Sequence, residues 1–270
     1  MSNTFEIKRF GNYMLHDIRT AVADSGLALV IIGAMPIFQF LIPEVFSLVF
    51  SGHAMDMGTW GKIPAYISAL TIANIFFPIR HYGGLTDKQQ GSNWLMLPAS
   101  TLEKWFSMLL VTCVVVPFVL LAELLLTDGL MSLLFGGTYG ATAISGIIDT
   151  VSKFWGELRT DAGRLFISWP VAMWLSWCEG VLFFAFGAIL FKKTKVVKTF
   201  LLAFAIGMVI SLVTIIVMKA IGMDGIKIDT SEFTEAGIIR TMNWIVFAIY
   251  FVWFAAQDLA LYLRMKTLKH

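Results

Sequence analysis

The chain reads as an all-α polytopic membrane protein with six transmembrane helices. Both termini are expected inside, with amphipathic interfacial helices at the N-terminus and in the 3–4 loop. Four observations predict this. Six apolar stretches, 26–43, 63–79, 101–126, 168–191, 197–218 and 241–263, approach or exceed the ~20 residues a helix needs to cross a ~30 Å hydrocarbon layer. No charge falls between Asp24 and Glu44, between Lys62 and Arg80, or between Lys198 and Lys219. Only 14% of residues are charged and 58% are hydrophobic, whereas soluble domains carry roughly 25% charged residues. Finally, the basic residues are segregated. With the N-terminus inside, thirteen Lys and Arg fall on inner segments and seven on outer ones, and the loop 192–198 alone holds four. That bias places both termini in the cytoplasm.

Two regions follow: a cytoplasmic amphipathic N-terminal helix over 1–25 and a six-helix transmembrane domain over 26–270. In the first, Phe10, Tyr13, Met14, Ile18, Ala21 and Val22 recur every three or four residues between charges, as in a helix lying in the inner interface. This lead-in is too long and too acidic for a cleaved signal peptide, so the first span is expected to remain as an anchor. Pro36 predicts a kink in span 1. Pro64 sits in the first turn of span 2, where proline is tolerated, and Pro78 marks its end. Before span 3, Ser100-Thr-Leu-Glu103 has the form of a capping box, and the short apolar run Trp94 to Leu97 precedes it.

The uncharged stretch 129–148 is read as a loop and not as a seventh span. It holds five glycines, and Gly136-Gly-Thr-Tyr-Gly140 is a turn signal. Ile144, Ile147, Ile148, Val151, Phe154, Trp155 and Leu158 then keep helical spacing, which predicts an amphipathic helix on the outer surface. Loop 219–240 is polar and acidic. Trp60, Trp94, Trp105, Trp155, Trp169 and Trp244 lie near predicted membrane boundaries, as aromatic belts do. Gly180, Gly187 and Gly207 within spans are expected to permit close helix approach.

Chemistry-bearing residues are few. Glu123, Glu179 and Asp258 lie within spans, where a carboxylate is costly. Glu179, near the middle of span 4, is the candidate functional acid; its alternative is a carboxyl hydrogen-bonded to a neighbouring helix. Glu123 and Asp258 lie close enough to the span ends to reach the interface, and Asp258 is expected to pair with Arg264 or Lys266. The histidines at 16, 53, 81 and 270 show no metal-ligand spacing. Neither a nucleophile elbow nor a Gly-Lys-Ser/Thr phosphate loop is present. No catalytic residue, cofactor or metal is therefore expected. The basic residues are scattered over loops, which argues against nucleic acid as a partner. The basic inner face suits anionic lipid headgroups. Cys113 and Cys178 read as small buried hydrophobes.

The segment 91–110, Gly-Ser-Asn-Trp-Leu-Met-Leu-Pro-Ala-Ser-Thr-Leu-Glu-Lys-Trp-Phe-Ser-Met-Leu-Leu, resembles ABC transporter permeases of the type-2 exporter class. The amphipathic N-terminal helix, six spans and inner termini are similar to that family's layout. The resemblance implies that residues 85–104 form the cytoplasmic element docking on a separate ABC ATPase subunit, with Trp94, Leu95, Met96, Leu97, Ser100 and Glu103 as the coupling residues. It also implies a homodimer or heterodimer of permeases and a bacterial inner-membrane location. The long 3–4 loop departs from the family pattern, so no external gate residue carries over. Two rival expectations stand beside it: a non-transporting membrane sensor or scaffold subunit, and a membrane-embedded lipid enzyme.

Overall fold

The first helix stops because of a proline. In the computed structural model α1 (Ile7–Gly33) gives way to α2 (Met35–Ser51) at Ala34, two residues before Pro36. Pro36 has no N–H to offer Ile32 and its ring collides with that carbonyl, so the ladder breaks there, as the sequence predicts. The Gly33 carbonyl takes the Thr127 hydroxyl at 3.1 Å. Residues 5–53, 59–140, 142, 146, 148–149, 152–153, 169–220 and 235–268 are described. Among them every regular element is helical. The remaining elements are α3 (Thr59–Tyr82), a 3-10 turn (Gly83–Thr86), α4 (Lys88–Met96), α5 (Thr101–Leu110), a π turn (Val111–Val115), α6 (Val116–Leu134), α7 (Trp169–Leu190), α8 (Lys195–Ala220) and α9 (Glu235–Thr267).

Five helical segments among the described residues are long and apolar enough to cross a membrane: Ile7–Ser51, Gly61–Thr86, Thr101–Leu134, Met173–Leu190 and Lys195–Val213. This is the make-up of a helical membrane protein. The sixth expected span, 241–263, falls within α9, and the side chains of 241–247 lie outside the described residues. The boundary expected at residue 25 falls inside α1, which runs unbroken from the N-terminal segment into the apolar stretch. The part expected in the interface presents Tyr13, Asp17, Ala21 and Ser25 to the bundle, and α1 packs on α3 and α5. α3 continues beyond Pro78 to Tyr82. α6 continues to Leu134, so the first residues of the stretch read as loop are helical, while 135–139 form turns. Most of the expected outer helix at 144–158 and of loop 219–240 lies outside the described residues.

The centre of the bundle is the α3–α7 pair, the most extensive helix contact. Ala65, Ala69 and Ala73 recur every four residues on α3 and are buried, as are Val181, Leu182, Ala185 and Ile189 on α7. Small side chains let the backbones approach, the usual device where lipid removes the hydrophobic drive for association. Gly180 works the same way: a Cβ there would lie 2.8 Å from Asn74 Oδ1, and Asn74 donates to the Trp177 carbonyl at 3.1 Å. Gly187 admits Thr199 of α8, whose Oγ1 would overlap an added Cβ. Gly207 differs from expectation, since a Cβ there would meet nothing within 4 Å.

The π turn has an identifiable cause. Pro117 cannot donate to Cys113, and the Val116 N–H reaches back to Val111, leaving the carbonyls of Thr112 and Cys113 outside the helical ladder. Two indoles of α7 take them up: Trp177 Nε1 reaches Thr112 O at 3.1 Å and Trp174 Nε1 reaches Cys113 O at 2.7 Å. Freed carbonyls inside a low-dielectric bundle would each be costly without such donors.

Candidate functional site

The segment singled out by sequence is built into a polar junction where α1, the end of α3, α4 and α5 meet. Ser100 starts α5 with extended backbone, and its hydroxyl accepts from the Glu103 N–H while Glu103 Oε2 accepts from the Ser100 N–H at 2.7 Å. The capping box is therefore formed. Glu103 does more than cap. It is fully buried and also receives Arg9 Nε at 2.8 Å, Arg9 Nη2 at 2.8 Å and the Glu6 N–H at 2.9 Å. A buried carboxylate requires that many donors.

Trp94 turns inward. Its indole N–H reaches Tyr13 Oη at 3.0 Å. Its carbonyl accepts Lys104 Nζ at 2.6 Å, and the ammonium lies 4.4 Å from the indole centre. Lys104 itself is buried. Met96 points outward and is 75% exposed; Pro98 beside it is exposed and Leu97 half-buried. The Leu95 side chain lies outside the described residues. Of the six coupling residues, Trp94, Ser100 and Glu103 brace the loop against α1 and α5, and Met96 presents surface.

Beside this brace lies a cavity of about 410 Å³ whose lining includes Tyr13, Asp17, Asp24, His81, Tyr82 and Trp94. Asp17 Oδ1 faces His81 Nε2 at 3.1 Å, and Asp24 Oδ2 faces His81 Nδ1 at 3.2 Å. Asp17 Oδ2 also accepts from Tyr82 Oη at 3.2 Å and from Ser107 Oγ at 2.7 Å. Each nitrogen of one imidazole thus meets a carboxylate. The doubly protonated ring would donate to both at once. The arrangement ties α1 to α3 and α5. It supplies neither an activated nucleophile nor, among the described residues, a group of three ligands able to hold a metal. Sequence reading missed this cluster. Its signal was the row Tyr13, Asp17, Ala21, Ser25 at four-residue spacing, which puts one acid on the apolar face.

The other acids take places that spacing alone does not give. Glu123 is half-buried and lies against Gly33, with Oε2 buried and unbonded. Asp258 accepts from Trp105 Nε1 at 3.1 Å, and Arg264 donates to the Ile189 carbonyl at 3.4 Å. Six residues along a helix turn a side chain to a different face, so Asp258 and Arg264 diverge. Glu179 is half-buried on α7, and its carbonyl lies 3.2 Å from the Gln257 amide of α9, which donates to it when the amide is turned to face it with its nitrogen.

A second polar cluster is built on α3, α6 and the turn after α6. Tyr139 Oη donates to Asp128 Oδ1 at 2.6 Å. Lys62 Nζ donates to the Tyr139 carbonyl and lies 3.8 Å from the ring centre. Burial, with the Asp128 carboxylate second, pushes the Tyr139 phenol well above its ordinary range. Asp128 and Lys62 are both buried.

No family model, no curated protein and no solved structure matches this chain.

Proposed function

We propose that the chain is the membrane-spanning permease subunit of an ATP-driven exporter, working as a homodimer or heterodimer with a separate ABC ATPase. In this reading the chain is not itself an enzyme, and it resides in a bacterial inner membrane with six spans and both termini in the cytoplasm. The observation that supports it most is the bracing of the 83–100 loop. Tyr13–Trp94 fastens it to α1, the Ser100 cap fastens it to α5, and Arg9–Glu103 ties α5 in turn to α1. A push on the exposed Met96 would then pass through short, charge-assisted contacts to two helices at once. Rigid elements with such contacts carry displacement between sites. An exposed methionine flanked by Pro98 is an adaptable contact for a partner.

Affinity purification of the full chain in mild detergent tests the reading. A Walker-motif ATPase should accompany the wild type and be lost from Met96→Asp/Leu97→Asp, which still inserts in the membrane. Retention of the same ATPase by the double variant, with substrate-stimulated ATP turnover intact, defeats the coupling assignment.

A further inference from the structure

A groove of about 660 Å³ runs along the outside of α3 towards the start of α8. Ile72, Ile75, Phe76 and Ile79 line it, the spacing of one helix face over about 10 Å. Its polar end carries Arg80 and Lys195, with Asp87 beside them. The rim therefore holds two cations against one acid. Lys195 Nζ donates to the Gly83 carbonyl and Arg80 Nε to the Asp24 carbonyl at 3.3 Å, so both cations are held at the groove mouth. Lys192 and Lys193, in the neighbouring turn, are exposed and add positive potential. On the same two helices, Leu201 and Phe204 of α8 and Ile67 of α3 are largely exposed. Such a surface belongs against hydrocarbon.

We propose that this groove binds an anionic phospholipid, with one acyl chain along α3 and the headgroup phosphate between Arg80 and Lys195. Charge complementarity selects the occupant. A net positive rim favours a headgroup with one uncompensated negative charge, and a zwitterionic lipid brings a cation of its own to the same rim. Shape selects it too, because two helical turns of isoleucine and phenylalanine accept an alkyl chain and offer nothing to a soluble phosphate ester. The bound lipid would join α3 to the first turns of α8, which otherwise meets the bundle mainly through α7. The proposal rests on membrane residence and stands apart from the permease reading.

The test uses the purified full chain, delipidated in neutral detergent. Retained lipid is counted by native mass spectrometry, and thermal midpoints are measured with added phosphatidylglycerol, phosphatidylcholine of the same chains, or glycerol phosphate. Phosphatidylglycerol should be retained and raise the midpoint, and the other two should do neither. Arg80→Gln and Lys195→Gln should each lower its retention roughly fivefold, the effect of one cation near an anionic headgroup. Lys195→Arg should keep retention while reproducing the donor to Gly83. Ile75→Trp, which fills the groove and leaves the rim intact, should also abolish retention. Equal retention of phosphatidylcholine overturns the proposal. So does stabilisation by glycerol phosphate alone, which would make this a soluble-phosphate site. Undiminished retention in Ile75→Trp, or a dimer that Ile75→Trp splits with lipid retention unchanged, overturns it as well.

Discussion

Arg9 and Glu103 close a two-pronged ion pair, with Arg9 Nε 2.8 Å from Oε2 and Nη2 2.8 Å from Oε1. It fixes the first turn of α1 to the first turn of α5. Arginine suits the place because its rigid fork matches both oxygens, which a lysine cannot do. The same carboxylate caps α5, so one side chain sets both the start of a helix and the position of another.

Removing that fork should be felt beyond the N-terminus. Arg9→Ala leaves Glu103 buried with backbone donors alone, and Arg9→Lys restores charge without the second prong. The expected order of thermal midpoints in detergent is wild type, then Arg9→Lys, then Arg9→Ala, with Lys8→Ala unchanged as control. A midpoint for Arg9→Ala equal to that of Lys8→Ala would show the pair to be idle. Ser100→Ala should separately cost ~1 kcal/mol through the lost cap.

The indole–carbonyl bonds at the π turn predict a coupling. Trp174→Phe should cost ~1 kcal/mol, because Cys113 O loses its indole donor and keeps only the weak Cys178 thiol at 3.9 Å. Pro117→Ala supplies a backbone N–H that can rejoin the helical ladder to Cys113, so in that background Trp174→Phe should cost clearly less. Thermal unfolding of the two single variants and the double variant reads this out. Strict additivity would mean that the proline does not cause the carbonyl to be freed.

Gly187 and Thr199 lie too close for any side chain between them. Gly187→Ala should destabilise the α7–α8 contact by ~1–3 kcal/mol through overpacking. Thr199→Ala removes the two nearest atoms but leaves a Cβ 2.8 Å away, so it should rescue only in part. Chymotryptic nicking of α8 in detergent, faster in Gly187→Ala than in wild type, checks the local effect. Equal nicking and equal midpoints would refute the close approach.

The thirteen-to-seven division of basic residues predicts sidedness. Cys113 and Cys178 are buried and should stay silent towards an impermeant thiol reagent. In intact cells Lys193→Cys and Thr267→Cys should resist labelling, and Asp229→Cys should react. Labelling of Lys193→Cys from outside would reverse the assignment of the four-lysine loop and revive a span within 129–148.

The sequence by itself determined that the chain is helical and built for a membrane, because uninterrupted apolar length and charge depletion are one-dimensional quantities. It also determined the break before Pro36 and the cap at Ser100–Glu103, since a missing N–H and a Ser-x-x-Glu spacing act within one turn. Partners distant in the chain were not legible in this way. Nothing in the sequence says that Arg9 reaches Glu103, that Glu123 turns to Gly33 or that Asp258 meets Trp105, because each pairing depends on which helix faces which. Asp17 is the clearest case. Its four-residue spacing from Tyr13 and Ala21 put it on the inward face, but only the packing of α3 and α5 against α1 brought it His81, Tyr82 and Ser107. Burial costs a lone carboxylate several kcal/mol unless donors surround it, and those donors come from elements up to 90 residues away. Tertiary structure alone could supply them.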